Sequence, residues 1–320
     1  MAIAATSIRS SAIDKKPKRA TQAAREARIF YLCVAPWVIG FILFQLGPML
    51  ASFVLSFTRW DILSPPVFVD IRNYTFMFTR DADFWQSLRV TVTYSLFSIP
   101  LQLMVALGLA VLLNEATRGI GLFRTLFYLP SVVASAAAAV LWTWIFNPEF
   151  GPINGLLGLF GVQGPAWLID PKYALWALII MSVWGVGGTM LIFLAGLKGI
   201  PGNLYEAAEI DGADRVARFF RITLPMLSPT IFFNFVMTLI GSFQTFDSAY
   251  IIGTRASGSI GAPAKSTLFY MLHVYDQAIA QTKMGYASAL GVVLFVIILV
   301  LTLLVLRSSS LWVYNEAERK

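Results

Sequence analysis

Apolar residues in this chain come in long unbroken runs, without the strict alternation of a half-buried strand. The runs cover roughly residues 29–57, 88–113, 122–146, 173–197, 226–249 and 286–306. Each is close to, or longer than, the about 20 residues a helix needs to cross the hydrocarbon of a bilayer. Outer-membrane strands would instead alternate apolar and polar side chains over about ten positions. The pattern predicts an all-α, polytopic membrane protein with six transmembrane helices, the first bent near Pro36 or Pro48. Pro- and Gly-rich connections separate the runs, among them SPPVFVD (64–70) and NPEFGPINGLLGLFGVQGP (147–165).

Composition sharpens this picture. The 320 residues are 58% hydrophobic and 13% charged, against about 25% charged in a soluble domain. Residues 1–28 are polar and basic, and the apolar run behind them is about twice as long as a signal-peptide core. That run is therefore read as a span, following a flexible basic tail (1–28). The transmembrane domain then covers 29–307, and a C-terminal tail covers 308–320. With the N-terminus inside, sixteen Lys and Arg fall in cytoplasmic segments and eight outside. This bias places both termini in the cytoplasm of a plasma-membrane protein. It also accounts for the net charge of +7 without nucleic acid as a partner. Membrane lipid is the partner the runs imply.

Little in the chain suggests catalysis. Cys33 and His273 are the lone cysteine and histidine, too few for an intrachain disulfide or a His-based metal site. The nearest approach to a phosphate-binding loop, Gly261 to Thr267, lacks the second glycine and is too short. The spans hold no catalytic triad or carboxylate pair. The expectation is a non-catalytic chain with no metal and no cofactor of its own.

One stretch stands apart. Residues 206–225, EAAEIDGADRVARFFRITLP, carry seven charges inside the cytoplasmic loop 198–225. A short helix is expected over 204–210, capped by Asn203 with Glu206 at its third position. Gly212 breaks it, and a second helix carries Arg215, Arg218 and Arg221. The loop is too polar to insert and too small to fold alone. It reads as a docking element for a cytoplasmic partner, or as a loop that packs on its own helix ends.

Glu206-Ala207-Ala208, Asp211-Gly212-Ala213, Phe219, Ile222, Leu224-Pro225 and Pro229 match EAAxxDGAxxxxxFxxIxLPxxxP without a gap. This resembles the EAA loop of ABC-importer permeases, and it lies between the fourth and fifth spans as in that family. FQTFD (243–247) and MGYASAL (284–290) resemble the first permease of maltose and glycerol-3-phosphate type systems. The resemblance covers about 29–307. It implies the type I importer permease fold, with Glu206, Ala207, Ala208, Asp211, Gly212 and Ala213 docking on an ATP-hydrolysing subunit. It also implies the partners: a second homologous permease, two copies of the ATPase that binds ATP and Mg, and an extracytoplasmic solute-binding protein. The cargo it implies is carbohydrate.

Polar side chains within spans are expensive and tend to face the bundle interior. Span five offers Asn234, Thr238, Ser242, Gln244 and Asp247, interleaved with Phe243, Phe246 and Tyr250; span four offers Ser182, Trp184 and Thr189. Hydroxyls with aromatic faces suit sugars, and helix packing uses the same residue types. Asn234, Gln244, Asp247, Phe243, Tyr250 and Trp184 are the expected path residues, with Asp247 free to bind sugar, cap a helix or pair with Arg255. A neutral oligosaccharide is the default. The alternatives are glycerol-3-phosphate or an acidic oligosaccharide, and, from another class, an ion-coupled secondary transporter.

Overall fold

The structure is a computed structural model and describes residues 19–115 and 119–314. Most of the basic N-terminal tail and the end of the C-terminal tail lie outside the described residues. By contact pattern the chain forms two units, 1–51 and 52–320.

Helix α1 (Arg19–Phe41) passes through one π turn (Ile42–Leu46) into α2 (Gly47–Leu55), whose last residues fall past the end of the first unit. Residues 19–28, expected as tail, are thus already helical. Pro36 sits inside α1 without ending it. The π turn comes just before Pro48, which has no N–H to offer the preceding turn, and the Gly47 amide instead reaches back to the Ile42 carbonyl. From Ala24 to Leu55 the helix is long and apolar enough to cross a membrane.

The second unit opens with a small outer lobe. Strands β1 (Thr58–Arg59) and β2 (Val67–Phe68) pair antiparallel, Thr58 opposite Phe68, and α3 (Arg72–Thr79) comes next. Asn73 Nδ2 ties them, donating to the carbonyls of Ser56 (2.7 Å) and Thr58 (2.9 Å).

Helix α4 (Ala82–Glu115) is the hub. It packs against α8 (Pro171–Trp184), α9 (Gly187–Lys198), α12 (Leu224–Phe243) and α14 (Tyr270–Tyr275). Its buried positions include the small residues Ser87, Thr91, Ser95, Ser98, Ala106 and Ala110. Small side chains at near-helical spacing let neighbouring backbones approach closely where lipid supplies no hydrophobic drive between helices. Thr91 Oγ1 donates to the Ser87 carbonyl and accepts from the Tyr270 amide at 2.9 Å, fixing α14 to the hub. Away from the hub, α12 also packs against α15 (Met284–Trp312). The outer faces of α4 and α15 expose large apolar side chains, as a lipid-facing surface requires.

Two expected spans are not straight. The third is α5 (Ile120–Val132) and α6 (Ser135–Ile145), bent by 100°. Pro130 withholds an amide from the ladder, and Val133 and Ala134 turn extended. The fourth is α8 and α9, bent by 47° across Gly185 and Val186. Among the described residues, four helices are long and apolar enough to span, or up to six if each bent pair counts once. The fifth run is interrupted: α12 ends at Phe243, and after residues 244–246 α13 (Asp247–Ser257) packs on α6, Arg215–Arg255 counting as one candidate span. The C-terminal helix α15 runs on to Trp312, into the expected tail.

The single histidine belongs to an outer latch. Asp81 Oδ1 accepts from the amides of Asp83 (2.9 Å) and Phe84 (3.2 Å), capping α4. Its Oδ2 takes His273 Nε2 at 2.8 Å and the Tyr286 hydroxyl at 2.5 Å. An ionised carboxylate only accepts, so His273 carries its proton on Nε2. The side chains of His273 and Asp81 are only 2% and 10% exposed. Burial raises the Asp81 carboxyl, yet the Tyr286 hydroxyl, the His273 ring and the Phe84 amide outweigh it and hold the group below its ordinary value. Tyr286→Phe should therefore lower stability by about 1–3 kcal/mol, read as a lower thermal midpoint in detergent. Because the folded value is depressed, the Asp81 contribution is present at neutral pH and is lost as pH falls below about 4. The gap in midpoint between wild type and Asp81→Asn should close over that fall.

Candidate functional site

Two places combine exposed or cavity-lining polar groups with a built geometry. The first is the loop after α9. Helix α10 (Gly202–Ile210) begins two residues earlier than expected, with Pro201 at its N-cap, and no side chain caps it; the Asn203 cap is not made. Pro201, extended at ψ 129°, takes the N-cap place, so Asn203 falls inside the first turn. Glu206, Ala207, Asp211 and Gly212 are exposed, and Ala208 and Ala213 are half-buried.

The end of α10 explains the Asp-Gly-Ala sequence. The Gly212 amide donates to the Glu209 carbonyl (3.1 Å), and the Ala213 amide to the Ala208 carbonyl (2.9 Å). This pair of bonds requires a left-handed residue at Gly212, whose φ is +75°. Nothing lies within 4 Å of the position a Cβ would take there. Backbone conformation, not crowding, demands the glycine. Asp214 then starts the next helix, its Oδ1 accepting from the Ala217 amide at 2.7 Å.

Beyond this turn the chain does not pause. Helix α11 (Arg215–Arg218), a π turn (Phe219–Thr223) and α12 run on as one helical path. Of the three expected arginines, Arg221 falls in the π turn. Tyr205 and Thr223 hydroxyls meet at 2.9 Å, and Arg218 pairs with Glu209 at 3.2 Å. Thus α10 is fastened to the root of α12 at two points.

The second place is a cavity of about 470 Å³ between α4, α8, α9 and α12. Tyr94 and Gln102 line it from α4, Ser182 from α8 and Thr189 from α9. Asn234, Thr238 and Ser242 line it from α12, Thr245 from just beyond, and Phe233 and Met237 add apolar surface. No lining residue is charged. The arrangement offers hydroxyl and amide partners and apolar faces to a neutral polar molecule, but no acid, base or nucleophile pair. No group of three or more metal-ligating side chains occurs among the described residues.

Of the expected path residues, the structure brings Asn234 to this cavity and places the other five elsewhere. Trp184 stands edge-on to Trp142 at 6.3 Å, beside a core cluster. Phe243 is buried in the cluster shared by α4 and α15. Gln244 is exposed at the end of α12. Asp247 accepts from Ser135 Oγ at 2.5 Å. The alternative pairing of Asp247 with Arg255 is not made, since the two stand eight residues, about 12 Å, apart along α13. Tyr250 stacks on Phe246 at 5.5 Å and meets Tyr275 at 5.3 Å. Gln244, Asp247 and Tyr250 lie at or beyond the end of α12, where α13 packs on α6. Sequence reasoning missed Tyr94 and Gln102, although Gln102, two residues after Pro100 in an apolar run, was a usable signal.

Comparison with known proteins agrees with this architecture. Residues 102–311 match the family described as "Binding-protein-dependent transport system inner membrane component". The chain is 48% identical over 292 residues to the "Probable ABC transporter permease protein YesP" of Bacillus subtilis (strain 168), covering 91% of this chain and 93% of that one. It is 33% identical over 286 residues to the trehalose/maltose transport system permease protein MalF of Thermococcus litoralis, covering 88% and 94%. The fold is similar to a chain in the crystal structure of a bacterial ABC transporter that imports the acidic polysaccharide alginate. The TM-score there is 0.78 at 23% identity, over 92% of this chain and 99% of that one. The chain belongs to the family of binding-protein-dependent transport system inner membrane components.

Proposed function

We propose that this chain is the transmembrane permease subunit of an ATP-driven importer whose cargo is a sugar or oligosaccharide. Membership of the family supports import, and the relative named for trehalose and maltose supports the class of cargo. The observation that carries the sugar reading is the uncharged, hydroxyl- and amide-lined cavity between α4, α8, α9 and α12. Sugars present hydroxyls that need hydrogen-bond partners and ring faces that favour apolar contact, and the cavity offers both. Its lack of charge favours a neutral sugar over glycerol-3-phosphate or a uronate, which would call for cations on the path.

ATP hydrolysis resides on a partner chain present in two copies, which bind ATP and Mg. A second homologous permease completes the pathway, and an extracytoplasmic solute-binding protein delivers the sugar. The end of α10 and the turn after it, with Glu206, Ala207, Asp211 and Gly212 exposed and Ala208 and Ala213 half-buried beside them, dock on the ATPase. Because α10 is fastened at Thr223 and Arg218 to the helical path that becomes α12, movement of the docked helix tilts the wall that carries Asn234, Thr238 and Ser242. Closure of the ATPase pair on ATP opens the cavity outward to receive sugar, and hydrolysis returns it inward. An ion-coupled mechanism would call for a buried carboxylate on the path, and the cavity lining has none.

Substitution tests the loop and the cavity separately. Glu206→Lys or Gly212→Arg should reduce labelled-sugar uptake by about tenfold, equivalent to about 1.4 kcal/mol of coupling. The purified complex should keep its ATPase activity. Wild-type uptake in both variants would contradict docking through α10. Replacing Asn234 or Gln102 by Ala should raise the half-saturation concentration of stimulated ATP hydrolysis, each lost bond being worth about 1–3 kcal/mol. Unchanged kinetics in both would remove the cavity from the path.

A further inference from the structure

The connection between α6 and α8 lies on the side that the charge bias assigns to the outside. Residues 150–169, FGPINGLLGLFGVQGPAWLI, contain no charged side chain. Within them α7 (Pro152–Leu159) forms a short helix. The segment is firmly pinned. Asn154 Nδ2 donates to the carbonyls of Pro148 and Pro165, both at 3.2 Å, and its Oδ1 accepts from Trp167 Nε1 at 2.7 Å. Gly164 lies so close beneath that a Cβ there would stand 2.0 Å from the same Oδ1. Ile153 and Trp167 pack against the core that contains Phe146 and Leu168.

The rest of α7 and the turn after it face outward with apolar side chains. Leu156, Leu159 and Phe160 are 60%, 80% and 82% exposed, and Val162 is exposed beside them. A pinned element that presents this much apolar surface has an occupant outside the chain.

The surroundings favour lipid. A groove of about 460 Å³ alongside has apolar walls from Trp144, Phe150 and Ile169. It has two neutral polar groups, Thr143 and Asn147, and one cation, Arg255. Apolar walls with a single cation match an acyl chain and a headgroup phosphate. The bent spans also expose aromatic residues, Trp144 of α6 and Tyr173 and Trp176 of α8. Aromatic side chains of this kind gather at the membrane–water boundary. A soluble partner would be matched by complementary charge, and these twenty residues supply none. An interfacial helix ordinarily turns its polar face to water; here Asn154 turns that face to the protein itself.

We propose that α7 is an interfacial helix seated in the outer leaflet, with Leu156, Leu159 and Phe160 in the headgroup–acyl boundary and the Arg255 groove beside it holding a phospholipid. The seat would fix the outer end of the broken third span relative to the bilayer. The proposal requires a membrane protein and does not depend on the identity of the cargo.

The test places a nitroxide on Leu159→Cys in a Cys33→Ser background, because Cys33 is exposed and would also react. The full chain, with the subunits that co-purify, is reconstituted in phosphatidylethanolamine–phosphatidylglycerol vesicles. Collision with oxygen, which concentrates in lipid, is compared with collision with a water-soluble nickel chelate. Glu149→Cys in the same loop serves as the aqueous reference, and Phe160→Cys is a second site should the first variant fold poorly. The expected result is an oxygen-to-nickel ratio severalfold higher at 159 and 160 than at 149. A ratio equal to that at 149 would place α7 in water and overturn the proposal. Shielding from both reagents would mean that another subunit covers the patch, and would equally overturn it.

Discussion

The structure depends on how closely helices can approach α4. In lipid, apolar side chains gain nothing by leaving hydrocarbon for a neighbouring helix, so association relies on close packing and on hydrogen bonds between helices. The stripe of Ser87, Thr91, Ser95, Ser98, Ala106 and Ala110 provides that closeness along one side of a 34-residue helix. Three neighbours, α8, α9 and α12, gather on α4, and the cavity is the space they leave. Tyr94 and Gln102 reach into it from α4 itself. The packing element and one wall of the path are therefore the same helix.

The second constraint is mechanical continuity. A short exposed helix at the cytoplasmic end could be a loose appendage. Here a left-handed turn at Gly212 and the Asp214 cap set its angle, and two side-chain contacts hold it to the base of α12. From Arg215 onward the path to the cavity is helical, with a π turn at Phe219–Thr223 and Pro229 inside α12 as irregularities. A helix resists compression along its axis far better than a loop does, so a displacement at α10 reaches Asn234 without being absorbed on the way. The outer side is organised differently. There Asp81 gathers the start of α4, His273 of α14 and Tyr286 of α15 around one carboxylate, and Lys265 closes on Asp83 at 2.6 Å.

The class of protein, the approximate position of every apolar segment and the polar cytoplasmic loop were all legible in the letters of the chain. Each of these rests on local physics. A hydrocarbon-spanning helix must satisfy its own backbone, so its length and composition are visible in one run of residues. The turn at Gly212 depends on a dihedral that glycine adopts readily, so it too is written in a few adjacent letters. Charge bias across the loops, the basis for the expected orientation, is read in the same local way.

Which polar residues meet was a matter for three-dimensional packing. Asn234 lines the cavity, while Asp247 meets Ser135 of α6 and Tyr250 meets Phe246 and Tyr275. The 100° break in the third span and the meeting of Asp81 with a histidine 192 residues away were equally hidden. Intramembrane serines and threonines carry the same letters whether they pack a helix or line a path. Which they do depends on the neighbour opposite, and that neighbour is fixed by the packing of distant segments, not by the run in which the residue sits.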